Sequence, residues 1–208
     1  AANGLFTFNG SWHKVRVDPA AKFMVLGLVC YAGTTVEGSM MAIKSVTSLT
    51  HNTDWTVAHV HFGAIGWVAM IAIGSLYAMA PKALGRPEMH STKAMNVHFW
   101  LHTAGLLIYI MSMWTSGLIA GLMWRETNPD GSLVHSFLES LIAIRPYYIA
   151  RFFGGVLVLT GMVVMVRNLW PTAEDARART IVAVLVPIPE GVHEPTPLQT
   201  PPPLPAKG

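Results

Sequence analysis

The chain has 208 residues, 52% hydrophobic and only 12% charged, with a formal net charge of +3. A soluble domain carries about 25% charged residues, so this composition excludes a disordered chain, a coiled coil and an ordinary soluble enzyme, and favours a surface that faces lipid. The lone Cys30 excludes a disulfide framework and a cysteine-based zinc site, no Cys-x-x-Cys-His is present to attach a c-type haem, and the scattered basic residues fit membrane flanks better than nucleic acid.

Residues 1–22 are polar and basic and contain no apolar run, so they read as a cytoplasmic segment rather than a retained signal peptide. The start at Ala-Ala-Asn, without Met, predicts a further segment upstream that was removed or belongs to another chain. A membrane-crossing helix needs about 20 apolar residues. Four stretches meet that length, at about 23–43, 55–81, 94–124 and 143–170. The second carries no Asp, Glu, Lys or Arg, whereas Arg145 and Pro146 blur the start of the fourth. The fold class expected is an all-α membrane protein.

Lys14, Arg16 and Lys22 precede the first span, Lys82, Arg86 and Lys93 separate the second and third, and Arg167, Arg177, Arg179 and Lys207 follow the fourth. The positive-inside rule then places both termini in the cytoplasm and the start of the second span on the outer side. Trp100, Trp114, Trp124 and Trp170 lie in or at the ends of spans, as interfacial aromatic belts do. Residues 171–208 end in a Pro-rich stretch and read as a solvated, polyproline-like cytoplasmic tail rather than an SH3 ligand.

The residues that carry chemistry gather in the run His51-Asn-Thr-Asp54-Trp55-Thr-Val-Ala-His59-Val-His61, at the outer end of the second span. Ionisable side chains inside a membrane are expensive and mark functional sites. At about 100° per residue, His59 and His61 diverge by about 200° and cannot share one metal. They can serve two centres, one on each face, and two haems flanking one helix fit this arrangement. Two buried histidines bonded to neighbouring groups fit the same spacing.

Gly63 and Gly66 would admit a large planar group or a close helix. Glu37, the one acid of the first span, needs a partner or a proton: it can orient a ligand histidine, move a proton or make a structural hydrogen bond. Asp54 can cap the second helix, and His51 can bind an anion such as a propionate. His98 and His102 share a face of the third helix, which suits a metal or a polar network. The methionines, among them Met40, Met41, Met111 and Met113, fit packing better than copper binding.

The runs Val36-Glu37-Gly-Ser-Met-Met, His51 through Trp67 and Val97-His98-Phe-Trp100 closely resemble the catalytic subunit I of cbb3-type cytochrome c oxidases, the C-family of haem–copper oxidases. Asn3-Gly-Leu and Trp12 through Pro19 resemble the loop that precedes the ninth helix there. Gly121-Leu-Met-Trp124 and Arg151-Phe-Phe-Gly-Gly resemble its last two helices. The resemblance covers nearly everything from Asn3 to Trp170 and implies the last four helices of that fold.

It implies further that His59 binds a high-spin haem b and His61 a low-spin haem b, that Glu37 is the acid beside the high-spin haem, and that His51, Asp54 and Trp55 lie near the haem propionates. His98 belongs to a matching motif, to which no role is assigned. Copper would be held by residues outside this chain, because the family's copper-binding histidines and cross-linked tyrosine lie on earlier helices. The activity implied is that of a terminal respiratory oxidase in a bacterial inner membrane, reducing oxygen to water and coupled to proton translocation. The partners implied are the remainder of subunit I, membrane-anchored c-type haem subunits, cytochrome c as electron donor and the lipid bilayer, with no nucleic acid. The alternatives are a nitric oxide reductase of the same superfamily and a non-catalytic, oxidase-derived membrane subunit.

Overall fold

The structure, a computed structural model, describes residues 1–185, with side chains through Arg177. Two short helices, α1 (Ala2–Phe6) and α2 (Trp12–Val17), occupy the N-terminal segment. The first span is α3 (Pro19–Met41), started by Asp18, whose side chain accepts from the Ala20 N–H at 2.9 Å, and by Pro19 in the first turn. A short helix, α4 (Lys44–Thr50), leads to α5 (Asp54–His61). The second span continues from α5 through a π-helical segment, Phe62–Val68, into α6 (Ala69–Ala83). The third span is α7 (Thr92–Met123) and the fourth lies in α8 (Phe137–Leu185). Four helices are therefore long and apolar enough to cross a membrane, and the described residues form no strand beyond one isolated pairing, Thr127 with Leu133.

Local chemistry explains several boundaries. The second span stops in a turn whose Gly85 takes φ +63°, with Arg86 N–H on Pro81 C=O at 2.7 Å and Gly85 N–H on Lys82 C=O at 3.1 Å. Thr53 rather than Asp54 caps α5, accepting from the Trp55 N–H at 3.3 Å. The cap read on Asp54 is thus corrected: its carboxylate points across to α7, where it accepts from Ser116.

The fourth helix departs most from expectation. It starts at Phe137 rather than near 143, and it runs through Pro146 and Pro171 to Leu185, beyond the expected start of the tail. Pro171 removes one helical N–H, but the turns around it are clamped to the loop between α6 and α7. Asn168 accepts from Ser91 N–H at 2.8 Å and donates to Ser91 C=O at 3.0 Å, Thr172 accepts from His90 N–H at 3.0 Å, and Arg86 pairs with Asp175 at 3.0 Å. Residues 186–208, which hold the Pro-rich stretch, lie outside the described residues.

The core forms where α3, α6 and α7 meet, around Phe23, Cys30, Met70, Ile73, Tyr77, Phe99, Leu106 and Ile110. The fourth span packs mainly on α7: only 11% of its most apolar window is buried, against 44% for α7. Backbone meets backbone there, since a Cβ on Gly105 would stand 2.7 Å from Gly154 C=O and one on Gly154 2.8 Å from Tyr109 N. The outer faces keep large apolar side chains exposed, among them Phe152, Leu159 and Val163, as a chain surrounded by lipid or by further helices would.

Candidate functional site

The two histidines of α5 face different neighbours. His59 turns towards α3. Its Nδ1 lies 3.3 Å from Glu37 Oε2 and 3.4 Å from Thr34 Oγ1. Glu37 is 6% exposed, and its other oxygen, Oε1, accepts from Trp114 Nε1 of α7 at 2.6 Å. Both oxygens of one buried carboxylate thus face ring N–H donors. A carboxylate only accepts, so His59 donates from Nδ1, and in the neutral imidazole Nε2 is then the free lone pair. The Thr34 hydroxyl, 3.5 Å from the His59 carbonyl, donates back to the same residue.

His61 turns towards α7, where its ring lies 5.4 Å from that of Tyr109. Its Nδ1–H donates to Val57 C=O, one turn earlier, at 2.8 Å. A carbonyl also only accepts, so Nε2 of His61 is again the free position. Neither Nε2 has a hydrogen-bond partner among the described residues. The opposite-face reading from the spacing is what the packing gives, and the hydrogen bonds fix both tautomers.

The fit to a haem rests on the surroundings of these nitrogens. A cleft of about 380 Å³ opens beside His59, lined by Thr34, Thr35, Gly38, Val60, Gly63 and Trp67. A Cβ on Gly38 would sit 3.2 Å from His59 Cε1, so the bare backbone there keeps the free edge of the imidazole accessible. The π-helical segment starts one residue after His61; such insertions widen the turn and often mark functional sites. The cleft and the bare Gly38 backbone fit an axial imidazole ligand at His59, while at His61 the fit rests on its free Nε2 alone.

At the start of α5, a second cleft of about 380 Å³ is lined by His51, Asp54, Val57, Trp124 and Tyr148. Asp54 accepts from Ser116 at 2.8 Å and lies 3.7 Å from Arg151 of α8. The Trp55 ring lies 6.1 Å from that of Trp114, and its buried Nε1–H has no acceptor among the described residues. His51 and Asp54 are thus brought to one cleft, while Trp55 presents an unpartnered donor beside the Glu37–Trp114 pair.

Several site residues escaped the sequence reading. Gly38 and Arg151 lie inside motifs quoted above without a role of their own, and Thr34, Tyr109 and Ser116 lie outside them; only helix packing brings the five here. Trp114, one of four tryptophans noted in or at the ends of spans, spends its indole N–H on Glu37. His98 and His102, left between a metal and a network, are fully buried and bonded to Tyr77 and to Ile65 C=O. Among the described residues no group of three or more His, Cys, Asp or Glu side chains is placed to hold a metal ion.

The fold and the site define an all-α, multi-pass membrane protein with paired imidazoles on opposite faces of one span. Residues 1–157 match the family described as cytochrome c and quinol oxidase polypeptide I, and the chain belongs to that family. It is 51% identical over 175 residues to the cbb3-type cytochrome c oxidase subunit CcoN1 of Stutzerimonas stutzeri, covering 84% of this chain and 37% of that protein. It is 45% identical over 185 residues to cytochrome c oxidase subunit 1 of Rhodobacter capsulatus, covering 89% of this chain and 35% of that protein. A nitric oxide reductase polypeptide of Stutzerimonas stutzeri is more distant, at 26% identity over 166 residues, or 76% of this chain and 35% of that protein. The chain spans about a third of the length of these relatives.

Proposed function

We propose that this chain supplies the axial histidines of two haem b groups in a cbb3-type terminal oxidase, one that reduces oxygen to water with electrons from cytochrome c and couples this to proton translocation. His59 would ligate the high-spin haem and His61 the low-spin haem. The observation that carries the reading is the pair of anchored Nδ1 atoms, which leaves an Nε2 lone pair on each face of the second span. When bound, haem supplies one-electron redox chemistry and a position for oxygen.

The chain's own residues act through the histidines. Glu37, held by Trp114, draws the Nδ1–H of His59, raises the basicity of its Nε2 and fixes the ring plane. Val57 C=O does the same for His61 with a neutral, weaker acceptor. The difference would make His59 the more electron-rich ligand. Trp55 Nε1, His51 and the Asp54–Arg151 pair would meet the propionates at the end of the span. Copper would be held by residues outside this chain. Its partners would be the remainder of subunit I, membrane-anchored c-type haem subunits and cytochrome c. The setting would be a bacterial inner membrane with both termini cytoplasmic.

The test is haem analysis of the intact complex. His61→Ala should abolish the low-spin haem spectrum; His59→Ala should remove the high-spin haem and oxygen consumption. Unchanged haem content in both variants would sink the assignment. The identity to oxidase relatives favours oxygen over nitric oxide as substrate, and copper in the purified complex would separate the two. A stable complex without haem would instead indicate a non-catalytic role.

A further inference from the structure

Away from the paired histidines, α7 carries a second set of buried titratable groups. His98 and His102 are both 0% exposed and Tyr77 is 2% exposed. Tyr77 Oη lies 2.8 Å from His98 Nδ1, and His102 Nε2 lies 3.3 Å from Ile65 C=O in the π-helical segment. The two imidazoles stand edge to face with centroids 5.8 Å apart. His98 Nε2 and His102 Nδ1 have no partner among the described residues. Leaving a buried polar atom unpaired costs about 1–3 kcal/mol, so two in adjacent rings call for an occupant.

The hydrogen-bonding roles say which occupant. Ile65 C=O only accepts, so His102 carries its proton on Nε2 and offers Nδ1 as an acceptor. In the relay inferred below Tyr77 donates to His98 Nδ1, so His98 carries its proton on Nε2 and offers a donor. An unpaired donor and an unpaired acceptor on neighbouring rings are the complementary halves of a water site. The chain then runs in one direction: Tyr77 O–H to His98 Nδ1, His98 Nε2–H to water, water to His102 Nδ1, His102 Nε2–H to Ile65 C=O.

Tyr77 also lines a cleft of about 410 Å³ at the end of the bundle that carries Asp18, Lys82, Glu88 and Thr92. We infer that Tyr77, His98 and His102 form a buried site for one water and one proton, fed from this cleft. A proton arriving at Tyr77 Oη releases the original hydroxyl proton to His98 Nδ1. His98 Nε2–H passes its proton to the water, and the water passes one to His102 Nδ1. The products are neutral Tyr77, the other neutral tautomer of His98, an intact water and a cationic His102: one proton taken up, no bond to carbon changed. Around the rings, α3 presents Phe23, 4.9 Å from His98 and 6.2 Å from His102, α6 presents Tyr77, and α8 presents Gly161. Among the described residues, no carboxylate or basic side chain pairs with either imidazole. With no counter-charge beside it, a buried cation is disfavoured here, so the proton would be taken up only as charge arrives elsewhere in the span.

The site stands on its own geometry; its use in proton-coupled electron transfer rests on the oxidase reading. The experiment uses the intact complex with ring-15N histidine, reduced electrochemically while proton uptake and infrared difference bands are followed. The expected result for His102→Leu is an unaltered haem spectrum, loss of the imidazole-to-imidazolium band and a proton uptake lower by up to one per complex. Tyr77→Phe should slow that uptake by roughly 100-fold without lowering its total. Should His102→Leu fail to assemble, His102→Gln keeps a donor for Ile65 C=O and should still lose the band and the proton. Unchanged bands and uptake in an assembled His102 variant overturn the inference. The haem spectrum, read in the same samples, reports separately on the oxidase reading.

Discussion

Trp114 Nε1 donates to Glu37 Oε1 at 2.6 Å, which links the third span to the first through a carboxylate whose other oxygen faces His59. A buried carboxylate held from both sides cannot turn away from the imidazole. A change at Glu37 is therefore felt at the His59 Nε2 lone pair.

Replacing Glu37 by Gln keeps the shape and removes the charge. On the proposed ligation, the Nε2 of His59 becomes less basic, so the midpoint potential of the high-spin haem should rise in a spectroelectrochemical titration of the complex. Partners of this kind are worth about 10–100-fold in affinity or activity, and oxygen consumption should fall within that range. An unshifted potential would show that Glu37 does not act through His59.

Trp114→Phe keeps the aromatic packing and takes away one donor to Glu37. The unpaired carboxylate oxygen should cost about 1–3 kcal/mol, read as a lower thermal unfolding midpoint of the complex in detergent. A smaller shift of the haem potential than that of Glu37→Gln should accompany it.

Gly38 leaves the edge of His59 open, with room for a Cβ only 3.2 Å from Cε1. Gly38→Val should close the cleft and lower the high-spin haem per protein, measured by pyridine haemochrome against total protein, while the low-spin signal remains. Loss of both signals together would point to misfolding rather than to a blocked cleft.

Asn168 makes two hydrogen bonds to the backbone of Ser91. Asn168→Leu leaves both groups of Ser91 unpaired, at a cost of about 1–3 kcal/mol each. Faster proteolysis between the second and third spans should report the loss, with the haem spectrum intact. Proteolysis unchanged from the parent would show that the clamp is dispensable.

The spans were legible because each needs an unbroken apolar run, and that is a property of consecutive residues. The divergence of His59 and His61 was legible for the same reason: it follows from the rotation per residue within one helix. The cap of α5 was misassigned because Thr53 and Asp54 are both good capping residues, and only the position of Ser116 on α7 shows where the Asp54 carboxylate goes. The end of α8 was missed because a proline and a polar composition argue for a stop, while the bonds that carry the helix through Pro171 come from a loop about 80 residues earlier.

From residue order alone follow an all-helical, four-span chain and the two histidines, with Glu37, that its functional reading turns on. Helical period and apolar length are local, and no partner is needed to read them. Packing was required to settle which nitrogen of each histidine is free, that Glu37 is held by Trp114 and that His98 meets Tyr77. Apart from the bond of His61 to Val57 on its own helix, those facts depend on where three separate spans place single atoms, and hydrogen bonds discriminate at a few tenths of an ångström, far below what a pattern of residue types specifies.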